Sequence, residues 1–366
     1  MNHPVAAEPE VELDVLAPWG PAGPPAPGLW SPDVLGPGFL ARTIELIPDE
    51  EGEAVATLVR YRPPDPSPLP RAQCLYLHGR NDYFFQTELA RELARAGVEF
   101  FALDLRKYGR SLRPWQTIGY AADFSVYEEE IGLAIEIMQQ HTPGLPLLLM
   151  GHSTGGLLAT LWAYRRPGAV AGLILNSAWL ELQAMAAWRP ALQQILGRIA
   201  SRRPRAIVIS NSKPDYYGPS LTKGWAGSGL EPPAYFQAEP DDPALVGWKI
   251  FPEWKRNPSY PVPAAWLEAI MAAQDRVEKE VHLDCPVLSL CSTKAASAET
   301  WSPDVFDSDT VLDPEVIVER SAKLADLVTI ARLPGKHDLL LSDPPVRRHL
   351  YRLMHNWIEA MVPANS

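Results

Sequence analysis

Short runs of apolar residues alternate with longer segments whose apolar positions recur every three or four residues. The runs at Cys74–Leu77, Val98–Leu103, Leu145–Met150 and Gly172–Leu175 are apolar on both sides, whereas Gln86–Ala96, Asp123–Gln140 and Thr154–Arg165 repeat with helical period. Strands apolar on both sides belong to a parallel sheet covered by helices on both faces. The series resumes with a strand at Pro286–Leu290, a helix at Pro314–Ala325, a strand at Val328–Leu333 and a helix at Val346–Met361. The predicted fold class is therefore α/β, with a mostly parallel central sheet.

Three segments depart from that alternation. Between Phe39 and Tyr61 the apolar positions Ile44, Leu46, Ala54, Ala56 and Leu58 alternate on either side of the turn residues at 49–52, which predicts an antiparallel hairpin. Residues 1–37 are rich in Pro, Gly and Ala and read as an arm with little apolar area to bury. Residues 178–284 carry Pro, Gly and the tryptophans Trp188, Trp225, Trp248, Trp254 and Trp266, and read as an inserted cap or lid. The expected organisation is an arm (1–37), a core in two parts (38–177 and 285–366) and the cap between them.

A length of 366 residues accommodates one large core plus such an insertion. The formal charge of −11, without a Lys/Arg-rich block, argues against nucleic acid as a partner. The local cluster Arg198–Arg205 reads as a solvated helix end. Cys74, Cys285 and Cys291 lack metal-ligand spacing and lie in or beside apolar runs, so they are expected to be reduced core residues. The first residues have no basic stretch followed by an apolar run, and no uncharged apolar stretch reaches the roughly 18 residues a membrane span needs. The expected location is the cytoplasm.

The chemistry-bearing segment is Gly151-His152-Ser153-Thr154-Gly155-Gly156, between an apolar strand and a helix. A serine on a tight strand-to-helix turn needs small residues two positions to either side, which Gly151 and Gly155 provide. Serine needs a base to act as a nucleophile at neutral pH, and that base is normally a histidine oriented by a carboxylate. His337 lies just past strand Val328–Leu333, at the same strand ends as Ser153. By contrast, His349 and His355 fall inside a helix, His141 ends one, and His3 and His282 have no such setting. The carboxylate should follow Pro286–Leu290, where Asp304, Asp307, Asp309 and Asp313 are available. Asp313 precedes Pro314 and suits a helix N-cap, so Asp309 is preferred. Oxyanion donors are expected from the backbone amides of Thr154 and Arg80, with Gly79 letting the chain turn and His78 in a structural role.

The run His78-Gly79, the segment Leu103–Ser111, Gly151–Gly156 and His337-Asp338, in that order, resembles the monoacylglycerol lipase and lysophospholipase branch of the α/β-hydrolases, also grouped with serine aminopeptidases. The resemblance covers roughly 72–180 and 285–360. It implies an α/β-hydrolase fold with a Ser153, Asp309, His337 triad, the acid standing in a Ser-x-Asp type of setting that Asp307-Ser308-Asp309 matches. The implied activity is hydrolysis of a hydrophobic carboxylic ester through an acyl-serine, with neither metal nor organic cofactor. Two other readings remain at this stage. One is amide or peptide hydrolysis at a chain end, for which Glu181 or Glu239 would have to receive an amine, and the other is a ligand-binding homologue without catalysis.

Overall fold

The computed structural model describes residues 13–64, 70–182, 189–210 and 215–362. After a turn of 3-10 helix at Ala17–Ala22 come β1 (Trp30–Pro32), β2 (Phe39–Asp49), β3 (Gly52–Tyr61), β4 (Ala72–Leu77), α1 (Thr87–Arg95), β5 (Val98–Asp104), α2 (Tyr127–His141), β6 (Leu147–His152), α3 (Thr154–Tyr164) and β7 (Gly172–Asn176). Between β7 and the next strand of the main sheet lie α4 (Arg189–Arg202), β8 (Ile207–Ile209), α5 (Tyr217–Thr222), α6 (Pro243–Val246), β9 (Val262–Pro263) and α7 (Ala264–Glu280). The chain ends with β10 (Val287–Ser292), α8 (Asp304–Asp307), α9 (Pro314–Ser321), β11 (Val328–Leu333) and α10 (Pro344–Met361).

The main sheet has the strand order β1-β2-β3-β5-β4-β6-β7-β10-β11. Its six strands from β5 to β11 run parallel, and β1, β2 and β3 add antiparallel at one edge. Every residue of β4, β6, β7 and β10 is buried, as their apolar runs require. Successive strand residues point to opposite faces. Leu75, Leu77, Leu147, Leu149, Leu173 and Leu175 therefore join one core with residues of α2, α3 and α7, while Cys74, Tyr76, Leu148, Met150 and Ile174 join another with α1 and α10. All three cysteines are buried and unbridged.

Two expectations are corrected. The helix foreseen over Pro314–Ala325 stops at Ser321, and the chain beyond it pairs instead as extended backbone, Ala325 bridging to Leu283, whose amide donates to Leu324 O. The arm also buries more than its composition indicated. Val15 is buried and its carbonyl accepts Trp254 Nε1 at 2.8 Å, while Trp19 packs edge-on against Trp254. Asp33 grips the fully buried Arg110 with both oxygens at 2.7 and 2.8 Å, and Asp104 takes the same guanidinium from the other side. A buried arginine requires this neutralisation, and the arm supplies half of it.

No helix among the described residues is long and apolar enough to cross a membrane. Because β4, β6, β7, β10 and β11 are parallel, the loops following them emerge at one edge of the sheet. That edge holds Ser153, Arg80, Asp309 and His337.

Candidate active site

Ser153 stands between β6 and α3 with φ 52° and ψ −117°, a region strained for any residue with a Cβ. The turn is held by its neighbours: Ser153 N donates to Asn176 O, and Ser153 O accepts from Gly156 N and Trp179 N, each at 3.0 Å. A Cβ at Gly155 would strike the carbonyl oxygens of Leu77 and His78, so the approach of α3 to β4 admits only glycine.

His337 Nδ1 lies 2.9 Å from Asp309 Oδ2. A carboxylate only accepts, so Nδ1 carries a proton, and in the neutral imidazole Nε2 keeps its lone pair. Asp309 is fully buried, and its other oxygen accepts the amides of Val311 and Leu312 at 2.8 and 2.7 Å. Its own backbone is tied to the loop after β10, Asp309 N donating to Lys294 O and Asp309 O accepting from Ala296 N. The other candidate acids go elsewhere. Asp304 and Asp307 pair with Lys294, and Asp313 caps α9 through Glu315 N.

Ser153, Thr154, His337 and Arg80 line one cavity of about 330 Å³. Thr154 opens α3, where the first amides have no partner within the helix and face an anion favourably. Gly79 serves a purpose other than the expected turn, since its φ is ordinary. A Cβ there would sit 3.1 Å from Ser153 Cβ and 3.1 Å from the His152 ring, so glycine lets the Arg80 loop close on the serine. His78 is structural as foreseen, with Nδ1 bonded to Gly79 O at 2.7 Å and Nε2 accepting Leu105 N at 3.1 Å.

A polar network lies behind the site. His152 packs 4.8 Å from the His337 ring and bonds Asn176 O through Nδ1, and burial pushes its pKa down, keeping it neutral. Asp82, His152 and Asp338 bring one potential ligand atom each within 4.8 Å of one another. Asp338, however, already accepts from Gln86, Asn176 and Leu340 N, and Asp82 Oδ1 binds Lys255 at 2.8 Å. These donors tie the group into a hydrogen-bonded brace for the loops of Ser153 and His337, leaving Asp82 Oδ2 buried without a partner among the described residues.

Residues 178–284 form much of the cavity wall through Leu182, Tyr217, Leu221, Ile250, Val262 and Trp266. Of the five tryptophans singled out in the sequence, Trp266 reaches the cavity. Trp225 stacks on Phe306, Trp248 and Trp254 pack around Tyr83 and Phe85, and Trp188 lies outside the described residues. Trp179 and Tyr217 also line the cavity without having been foreseen, the Tyr217 ring standing edge-on 6.3 Å from His337. Neither carried a local motif. The acids considered for an amine subsite are committed elsewhere: Glu181 pairs with Arg320, and Glu239 with Arg348.

Residues 68–222 match the model of a family described as serine aminopeptidase, S33. Over 113 residues, 31% of this chain and 36% of the other, the sequence is 35% identical to monoglyceride lipase from Homo sapiens. The chain spans half or less of the length of the curated relatives it matches first. Among solved structures it is similar to a soluble variant of monoglyceride lipase from Saccharomyces cerevisiae in complex with a substrate analog, with a TM-score of 0.56 and 16% identity over 87% of this chain and 95% of that one. It is also similar to a thermostable carboxyl esterase from Bacillus coagulans, with a TM-score of 0.58 and 15% identity over 88% and 99% of the two chains.

Proposed function

Because the chain has the α/β-hydrolase fold of these lipases and esterases, we propose that it is a serine hydrolase cleaving carboxylic esters with an apolar acyl group. The observation that carries the reading is the 2.9 Å Asp309–His337 bond at the wall of the cavity that also holds Ser153 on its strained turn.

Ser153 Oγ attacks the ester carbonyl while His337 Nε2 takes its proton. The carbonyl oxygen becomes an oxyanion facing the amides of Thr154 and Arg80, a stabilisation worth about 10² to 10³ in rate per donor. Collapse of this intermediate expels the alcohol, which receives the proton from His337. Water, deprotonated by His337, then releases the acid from Ser153. Asp309 holds the imidazole tautomer and stabilises the imidazolium formed in each half-reaction. The apolar walls from Trp179, Leu182, Ile250 and Trp266 receive the acyl chain.

In this reading residues 178–284 act as a cap, supported by the contribution of α5, β9 and α7 to the cavity wall. The three buried, unbridged cysteines support a reducing compartment such as the cytoplasm. The test is hydrolysis of p-nitrophenyl esters from acetate to palmitate, with Ser153→Ala as control and a fluorophosphonate to label the serine. Turnover should vanish in the variant, and the chain-length optimum measures the cavity. An unlabelled protein that turns over none of the esters would sink the reading.

A further inference from the structure

The cavity wall next to the 78–82 loop carries positive charge that no carboxylate among the described residues pairs with. Arg80 directs Nη1 to Ser259 Oγ at 3.0 Å and Nη2 to the carbonyls of Tyr260 and Pro261 at 2.6 and 3.1 Å. Its guanidinium lies 4.2 Å from the centre of the Tyr260 ring and 5.0 Å from that of Trp266. All of these partners are neutral. Its Nε is buried without a partner among the described residues. Arg256 stands beside it, its backbone tied at both ends to the Asn81 side chain. Arg256 Nε is likewise buried and unpartnered, and its guanidinium makes no ion pair among the described residues.

The remaining charges do not neutralise this pair. Lys255, the third cation of the lining, is matched by Asp82. The one carboxylate in the lining, Asp215, is exposed and accepts the Tyr217 amide. Among the described residues two arginines thus stand without an ion-pair partner at one wall of a largely apolar cavity. Desolvating guanidinium groups without anions is costly, and their planar forks suit the oxygens of phosphate or carboxylate.

We propose that Arg80 and Arg256 form a subsite for an anionic group of the substrate, a phosphate or a carboxylate, so that the ester taken is an amphiphile with an anionic end. The inference rests on the ester-hydrolase reading for its chemistry, but the anion subsite can be tested apart from turnover. In the Ser153→Ala background, calorimetry below the critical micelle concentration compares dodecyl phosphate, dodecanoate and the neutral 1-O-dodecylglycerol. At least one anion should bind about tenfold or more tightly than the neutral ether, with the gap narrowing in high salt. Adding Arg256→Gln should cut the gap to about threefold or less, and Arg256→Lys should keep part of it.

Comparing the two anionic arms identifies the preferred group. Equal affinity for all three probes, or a preference that survives both Arg256→Gln and Arg80→Gln, overturns the proposal. Turnover of 1-monolaurin and lauroyl lysophosphatidate by the chain with Ser153 separates the two readings. Selective anion binding without turnover of either ester would overturn the hydrolase and leave the subsite. Turnover of both at equal kcat/KM, with equal probe affinities, would do the reverse.

Discussion

One hydrogen bond decides which nitrogen of His337 faces the cavity. With Asp309 accepting from Nδ1, Nε2 is the base of the proposed mechanism; in Asp309→Asn the side-chain amide can donate to Nδ1 and force the opposite tautomer. That variant should lose about 10³ to 10⁴ in kcat with little change in KM. Steady-state kinetics on p-nitrophenyl butyrate checks this, and a loss below tenfold would assign the role to another acid. Ser153 and His337 were legible because each sits in a short motif at a strand end. Asp309 was preferred among four acids in the sequence, but no motif singled it out as sharply, because its placement depends on the backbone bonds to Lys294 and Ala296 that fold the long loop back. Gly155 was legible as a requirement of the turn. Gly155→Ala would press a methyl onto the Leu77 and His78 carbonyls, costing about 2 to 3 kcal/mol, to be read from urea unfolding midpoints. A neutral effect would mean that α3 can shift away from β4.

At the scale of elements, apolar alternation located the strands and helices of the main sheet to within a few residues, because burial on both faces leaves an uninterrupted apolar run. It failed for the arm, part of whose contribution is ionic and depends on a partner 77 residues away. No local pattern announces that Asp33 will neutralise Arg110. Asp33→Ala should therefore destabilise the fold by about 3 kcal/mol, since it leaves a buried guanidinium to Asp104 alone. Chemical denaturation measures this loss. A change under 0.5 kcal/mol, the range of about ±0.5 typical of surface substitutions, would mean that water replaces the carboxylate. The same reasoning explains the tryptophans of the insertion. Composition reported that they were there, but which of them packs and which lines the cavity is decided by α5, β9 and α7 meeting the sheet edge.

Across the whole molecule, Lys336 joins parts that are remote in sequence. It precedes His337, its Nζ lies 3.2 Å from Ser220 Oγ in α5, and it sits 4.2 Å from the centre of the Phe306 ring in α8. Burial pushes its pKa down to about 7, against the opposing pull of Asp343. Between about pH 7 and the ordinary lysine value, the unfolded chain binds a proton there that the folded chain does not. Stability from this group must therefore rise with pH through that window, and below pH 7 the cost of burying the charged form is present in full. Lys336→Met removes the titration. Its stability relative to the native chain should be most favourable near pH 6.5 and should decline steadily toward pH 9.5, as read from urea midpoints at both values. All other titrations cancel in that difference. Parallel curves would mean that Lys336 stays charged in the folded protein, with water reaching it between the insertion and the acid-bearing loop. A converging pair would instead identify this contact as dry, and would make the packing of α5 and α8 around Lys336 part of the same cooperative unit as the sheet.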